Sequence, residues 1–545
     1  MCAGCRLDRP PAHHFKINFL TGLMNRITSV RLLMAMVATG LGCGAFAQER
    51  APARLNTFEM LPVIFPWMGT SNSAALSEFN LGNMSLAQAG YSYTDDEIKL
   101  IQQPEIISSY LAATKGFMQL NRLSLYGSFG YSNTGFKGVN YNGTMMYNTF
   151  NPYLVGDTVS ARQFREQFEI EGKVSYKLND RITFAAGAEY VSAVGAKQKD
   201  PRNKNTISYF RFNPGIIYDL GNTKVGLSGS FYTTSNELTY KVEGNWNQNL
   251  FVFLGLGYFR QEINISYYYQ WYSGMGYSGA LQASHDNDNL YLLAEISYDH
   301  FNEEARSGSS YRLIDGITET DDVSFSGLLR ISRGKVLHIF KLNASLKAVS
   351  ADEILQRSYK VNKGTYSYDS LATVSWIENK HMINDINGGL RYSYLVLDSD
   401  SNIDVELGGA VGAGYFSTEH FPVQSYGFFN ALNLSGSLFA KKLLRAGRLL
   451  VTPGLEVCYR MNLGSDISYI VQPLSIPEMV YHDYFVSKTN VIRASASVRC
   501  EMPLSKNNFV KSLFLIPQGR WAAAPGSEAG DLSGYMLNIV AGLTF

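Results

Sequence analysis

The chain has 545 residues, with 47 Lys and Arg set against 46 Asp and Glu. A footprint for nucleic acid needs clustered excess positive charge to displace counterions from phosphate, and this balance excludes one. Aromatic residues reach 13% while charged residues are only 17%, a mixture that suits anchorage at two lipid–water interfaces but that a Tyr-rich β protein in water would share.

The N-terminus reads as an export signal. Met24 is a better start than Met1: Arg26 and Arg31 give a positive region, Leu32 to Leu41 are mostly apolar, and Ala45-Phe46-Ala47 supplies a small-x-small cleavage site ahead of Gln48. Residues 1–47 are therefore expected to be a signal peptide with a misplaced start. The apolar run is too short to stay in a bilayer as a helix, and Gly40-Leu41-Gly42 makes a poor lipobox before Cys43. Upstream, Cys2, Cys5, His13 and His14 only imitate a metal finger. Cleavage leaves Cys458 and Cys500, too few for a disulfide-built fold.

Residues 48–115 form an N-terminal segment expected either to thread a lumen or to supply a first strand or two. The segment is too short for the globular plug of energised, TonB-dependent transporters. No apolar run in the mature region approaches about 18 residues. Phe251 to Phe259 is half that length, so a membrane role requires strands.

From residue 116 onward the sequence predicts a transmembrane antiparallel β-barrel, opening with a strand near 117–132. Period-two alternation then dominates. Phe168, Ile170, Gly172, Val174, Tyr176 and Leu178 interleave with Glu169, Glu171, Lys173, Ser175 and Lys177, giving one oily and one charged face. After Asn179-Asp180 the pattern resumes from Ile182 to Tyr190, with Glu189 on the polar side. Further hairpins are expected at 207–220 with 223–235, 274–284 with 288–301, 321–332 with 335–349, 385–397 with 402–416, 427–442 with 447–462 and 487–502 with 508–520.

The long connections fall near 133–164, 236–273, 302–320, 350–384 and 463–486. That asymmetry matches short periplasmic turns and long extracellular loops. The final strand, 534–545, sets Leu537, Ile539, Ala541, Leu543 and Phe545 against Asn538, Val540, Gly542 and Thr544. The total is about sixteen strands, with a range of about 14 to 18, and strand-like Ala87 to Tyr93 left unplaced.

A C-terminal strand ending in Phe resembles the signal by which outer-membrane barrels are read by the barrel-assembly machinery. The phrases Leu125-Tyr126-Gly127-Ser128-Phe129-Gly130-Tyr131 and Asn151-Pro152-Tyr153-Leu154-Val155-Gly156-Asp157 resemble the large barrels of Bacteroidota outer membranes, in particular a family of unknown function. The resemblance covers nearly all of the mature chain. It implies a barrel fold and a place in the outer membrane, and it implies no activity.

Glu169, Glu171, Lys173, Lys177, Glu189, Arg493 and Arg499 are the expected lumen-facing set, either lining a water-filled pore or forming a salt-bridge network. Cys458 and Cys500 fall on opposite strand faces, which predicts two free thiols. Asp398-Ser399-Asp400-Ser401-Asn402 with Asp404 imitates a calcium loop but lacks its glycine and distal glutamate. Asp299-His300, adjacent in a strand, point apart, and no Gly-x-Ser-x-Gly elbow, Walker loop or zinc helix is present in the mature chain. No enzyme, cofactor or metal site is expected. The Tyr267-Tyr268-Tyr269 cluster with Trp271 and Tyr272 reads as part of a long connection, forming an interfacial girdle or packing a loop more readily than stacking on sugars.

The function expected is a passive or gated pore for small or amphipathic solutes, surrounded by outer-membrane lipid. The alternatives are a structural or secretion-associated scaffold holding partner proteins at its extracellular loops and, third, a soluble secreted β protein.

Overall fold

The computed structural model describes residues 54–545 except 147, 149, 245–248, 309–312, 364–365, 400–401, 422–425, 505–508 and 529. The signal-peptide reading of residues 1–47 lies outside the described residues.

Eighteen long strands, each hydrogen-bonded antiparallel to its neighbour in sequence, make the wall. The first, Met84–Asp96, pairs along its length with the last, Gly530–Thr544, in a register running from Leu86 against Thr544 to Asp96 against Gly534. Closure removes the open edges of the sheet within the wall, as hydrocarbon demands. Phe545 completes the seam: its N–H donates to the Ser85 carbonyl at 2.9 Å, and its ring meets Phe509 at 5.0 Å.

The outward face is oily. Leu438 is 74% exposed, Leu455 64% and Val411 60%, and comparable residues (Ile170, Leu281, Leu390, Ile539) recur around the circumference. In water, each such side chain would forgo about 1.5–3 kcal/mol of burial. In lipid the exposure costs nothing. The inward face carries the polar partners: Ser175 is fully buried, and the neighbouring Val174 and Tyr176 face out. An apolar exterior, a polar interior and full closure make this an outer-membrane β-barrel.

The sheet opens earlier than residue 117. Met84–Asp96 and Ile106–Leu120 precede Leu123–Lys137, which brings the count from sixteen to eighteen. Of residues 350–384, expected as a loop, 350–363 and 366–384 belong to two long strands, Val336–Lys363 and Tyr366–Leu397. Most of 302–320 is likewise strand, as is the Tyr267 cluster, which opens Tyr267–Asn287.

Candidate functional site

Segments of the chain pack into the barrel from both ends, the first of them preceding the wall. Helix α1, Arg54–Ile64, leads into 3-10 turns at Pro66–Gly69 and Ser73–Glu78. Leu55, Phe58, Leu61, Leu76 and Phe79 pack on the inward side chains Leu86, Phe117 and Phe514. Trp67, 2% exposed, packs with Ile217, Tyr291 and Leu293 and donates Nε1–H to Ser284 Oγ at 2.9 Å.

Polar anchors reach strands around the circumference. The Asn72 amide donates to the Ile216 carbonyl at 3.0 Å and to Gln282 Oε1 at 3.1 Å, while its own Oδ1 accepts from Ala74 N–H. Lys224 pairs with Glu78 at 2.6 Å, Arg330 donates to the Val63 carbonyl at 2.6 Å, and the Leu55 N–H donates to Glu501 at 2.9 Å. The wall is shaped for this occupant. A β-carbon at Gly215 would collide with the Asn72 amide, and one at Gly226 would lie 2.8 Å from the Trp67 ring. These contacts cluster near the short turns such as Leu220–Asn222, the end expected to face the periplasm.

Three long connections fold over the other end. Val155–Gly156 pairs with the strand Leu250–Gly255, which pairs in turn with Tyr258–Glu262. Helix α2, Pro477–Lys488, contributes Met479, Val480 and Tyr484. Val155, Leu250 and Val252 are fully buried against wall residues Leu238, Tyr240, Tyr268 and Tyr272. The apolar run Phe251 to Phe259 thus belongs to this cap, with Phe251 and Phe253 stacked and both edge-on to Phe259 and to Tyr141. Lys197 locks the cap to the wall: its ammonium meets both Asp157 oxygens, at 2.7 and 2.6 Å, and both side chains are buried.

Between plug and cap lies a polar chamber of about 320 Å³. Glu171, Lys173 and Glu189 line it together with Arg211, Asp299 and Ser71. Lys173 pairs with Glu171 at 2.7 Å, and the Tyr232 hydroxyl donates to Asp299 at 2.5 Å. Glu169 borders a neighbouring space with Gln88, Lys115 and Tyr126. Arg499 is drawn to the plug, donating to Glu59 and, at 3.4 Å, to Asn56. Arg493 stands on the same strand, paired with Cys458 and Ala522. Lys177 ends its strand at the rim, its N–H bonded to the Arg122 carbonyl. The expected residues are therefore dispersed over chamber, plug and rim. Arg211, Asp299 and the whole of residues 54–79 were not singled out by alternation, although an Arg at position 211 and an Asp at 299, each on the polar side of its strand, carried the same signal as Glu171.

Among the described residues both cysteines are free, and their register partners place them on opposite faces, with Val451 opposite Cys500 and Arg493 opposite Cys458. Asp299 faces Tyr232 inside, while His300 pairs with Asp321 at 2.9 Å beside the outward Tyr298. Asp398 accepts from Asn402 N–H and pairs with Arg445, an ordinary turn closure. Leu537 and Ile539 of the closing strand point outward.

No curated protein matches the sequence. Among solved structures, the fold is similar to the RagAB peptide transporter at 8% identity and a TM-score of 0.39, over 86% of this chain and 87% of that one. It is similar to the copper transporter OprC at 9% identity and 0.36, over 86% and 82%. The outer membrane transporter YddB from Escherichia coli matches at 8% identity and 0.35, over 84% and 81%. These likenesses are of fold alone. Over residues 73–545, which take in the end of the plug and the entire wall, the sequence matches the model of the Family of unknown function (DUF6850), and the chain belongs to that family.

Proposed function

We propose that the protein is a gated pore for small or amphipathic solutes, held shut in this state by residues 54–79. The plug's seat carries this reading: a short segment occupies the lumen at the turn end, fixed by Trp67, Asn72 and Glu78 rather than by continuity with the sheet. Around it the wall is polar, with Glu171, Lys173, Glu189 and Arg211 facing the chamber, so removal of the plug leaves a wet path. This role needs no catalytic residue, cofactor or metal.

The test is single-channel recording in planar bilayers from the full mature chain and from a chain lacking residues 54–79. The full chain should be silent at rest and the shortened chain should pass steady current. A shortened barrel that folds, as judged by heat-modifiable gel mobility, yet stays silent would overturn the pore.

A scaffold role has one observation in its favour. Beyond Glu353 and Ile377 the two longest strands pair only with each other among the described residues, because their outer neighbours stop at Gly316 and His420. The resulting ribbon exposes Tyr359, Leu371, Val374 and Trp376. If holding a partner is the main role, a silent barrel will co-purify with a defined protein only while this ribbon is intact.

A further inference from the structure

A second cavity, of about 300 Å³, lies under the cap and apart from the charged chamber. Its lining is mostly aromatic and apolar: Phe150, Leu154, Phe253, Phe416, Phe429 and Met479. Three of these belong to cap loops, two to the wall, and Met479 to α2. Such a lining with a few placed polar groups is the ordinary make-up of a small-molecule site, and this volume sits at the small end of the range.

One polar group in the lining is unsatisfied. His381 is 3% exposed, and its Nε2 meets Thr418 Oγ1 at 3.2 Å, but its Nδ1 has no partner. Buried polar atoms are nearly always paired, and an orphan calls for an explanation. Gly255 lies over the imidazole beside Nδ1. That residue has φ +104°, and a β-carbon on it would stand 2.7 Å from Nδ1. The two carboxylates of the lining are already engaged, Asp483 of α2 by the Ile101 N–H at 2.8 Å and Asp385 by the Asn387 amide N–H at 2.9 Å.

We propose that this cavity binds a phenol-class molecule: one compact aromatic body seated among the phenylalanines, with a single hydroxyl meeting Nδ1 of His381. A hydroxyl both donates and accepts, so it satisfies Nδ1 in either imidazole tautomer. An anionic head group would be desolvated among aromatic walls and set beside the carboxylates of Asp385 and Asp483, which disfavours it. The inference rests on the pore reading for its physiological sense, because it names the solute class the cap would admit. Its test does not depend on conduction.

Fluorine NMR of para-fluorophenol with the mature protein in nanodiscs provides that test, with fluorobenzene as the probe lacking the hydroxyl. The full chain should broaden both signals saturably, and unlabelled phenol should reverse the effect. His381→Phe should weaken para-fluorophenol roughly tenfold, the scale of one lost hydrogen bond, and leave fluorobenzene unchanged. Met479→Trp, filling the cavity, should abolish both, with Leu154→Trp as a second filler and heat-modifiable mobility reporting folding for each. Absence of saturable binding to the full chain, or equal para-fluorophenol binding by the filled variants, would overturn the site. Binding in a barrel that stays silent after plug removal would keep the site and remove the pore; conduction without binding would do the reverse.

Discussion

The two closures of this barrel are built differently. The plug is one short stretch lying against a wall that belongs to other parts of the chain. Its attachments are mostly single polar contacts between plug groups and wall side chains, such as Arg330 to the Val63 carbonyl and Glu501 to the Leu55 N–H, around two apolar clusters. The cap is three connections, each tied at both ends to wall strands, knitted by a small sheet and by close-packed aromatic rings. A closure held at many separable points by one segment is suited to leave as a unit. One interlocked by its own sheet is suited to stay while small molecules pass between its loops.

Four changes would break or sharpen this contrast. The largest effect is expected from Asp157→Asn, which strands the buried Lys197 ammonium and should cost the cap about 3–5 kcal/mol. Limited proteolysis should then cut within residues 138–162, with the barrel and the plug unaffected. Trp67→Ala should loosen the plug by a similar or slightly smaller amount, about 3–5 kcal/mol before relaxation, because it empties a fully enclosed site and frees Ser284. Here the cuts should fall within 54–79 and the cap should remain protected. If either variant exposed both closures together, the two would be one cooperative unit and the comparison would fail.

Val411→Arg probes the wall that both closures share. A cation on the lipid face near the bilayer centre costs about 2–4 kcal/mol, measurable as a lowered urea midpoint for folding into vesicles. An unchanged midpoint would mean that this face does not meet lipid.

The smallest effect is a pH dependence of the cap. Burial beneath the cap loops pushes the Asp483 carboxyl up to about 7, with the Ile101 N–H and Lys99 pulling the other way. Its folded pKa lies above its unfolded value, so the folded state holds the extra proton. Docking of α2 should therefore be firmest below about pH 4, weaken as the pH rises to about 7, and change no further above that. Hydrogen exchange in residues 477–488 should follow this course. Asp483→Asn should flatten it.

How much of this was legible in the sequence follows from what each strand face touches. Between Phe168 and Tyr190 one face meets lipid and the other the lumen, so alternation is clean and the hairpin was placed from residues alone. Gly334, at φ +61°, likewise marks its turn. Beyond Glu353 and Ile377 the two strands flank no others among the described residues, and apolar Tyr359, Leu371, Val374 and Trp376 are exposed among polar neighbours. The alternation vanishes there, and the stretch reads as a loop. Met84–Asp96 was visible only as strand-like Ala87 to Tyr93, since inward Leu86 packs on the plug and makes the inner face partly apolar as well. The site was less legible than the wall. Glu171, Lys173 and Glu189 line one chamber, but alternation did not say which polar positions would share it. The plug has no periodic signature, and the closeness of His381 to Gly255 depends on a loop crossing more than a hundred residues away in sequence.

The central claim is that residues 54–79 lie inside the barrel against the wall strand that carries Ser228. Ser71 Oγ and Ser228 Oγ stand 3.1 Å apart. In a chain with Cys458→Ser and Cys500→Ser, the pair Ser71→Cys and Ser228→Cys should therefore cross-link on mild oxidation, giving a reducible shift in gel mobility with the barrel still heat-modifiable. Two cysteines that instead stay unlinked and both react freely with a membrane-impermeant maleimide would contradict the account.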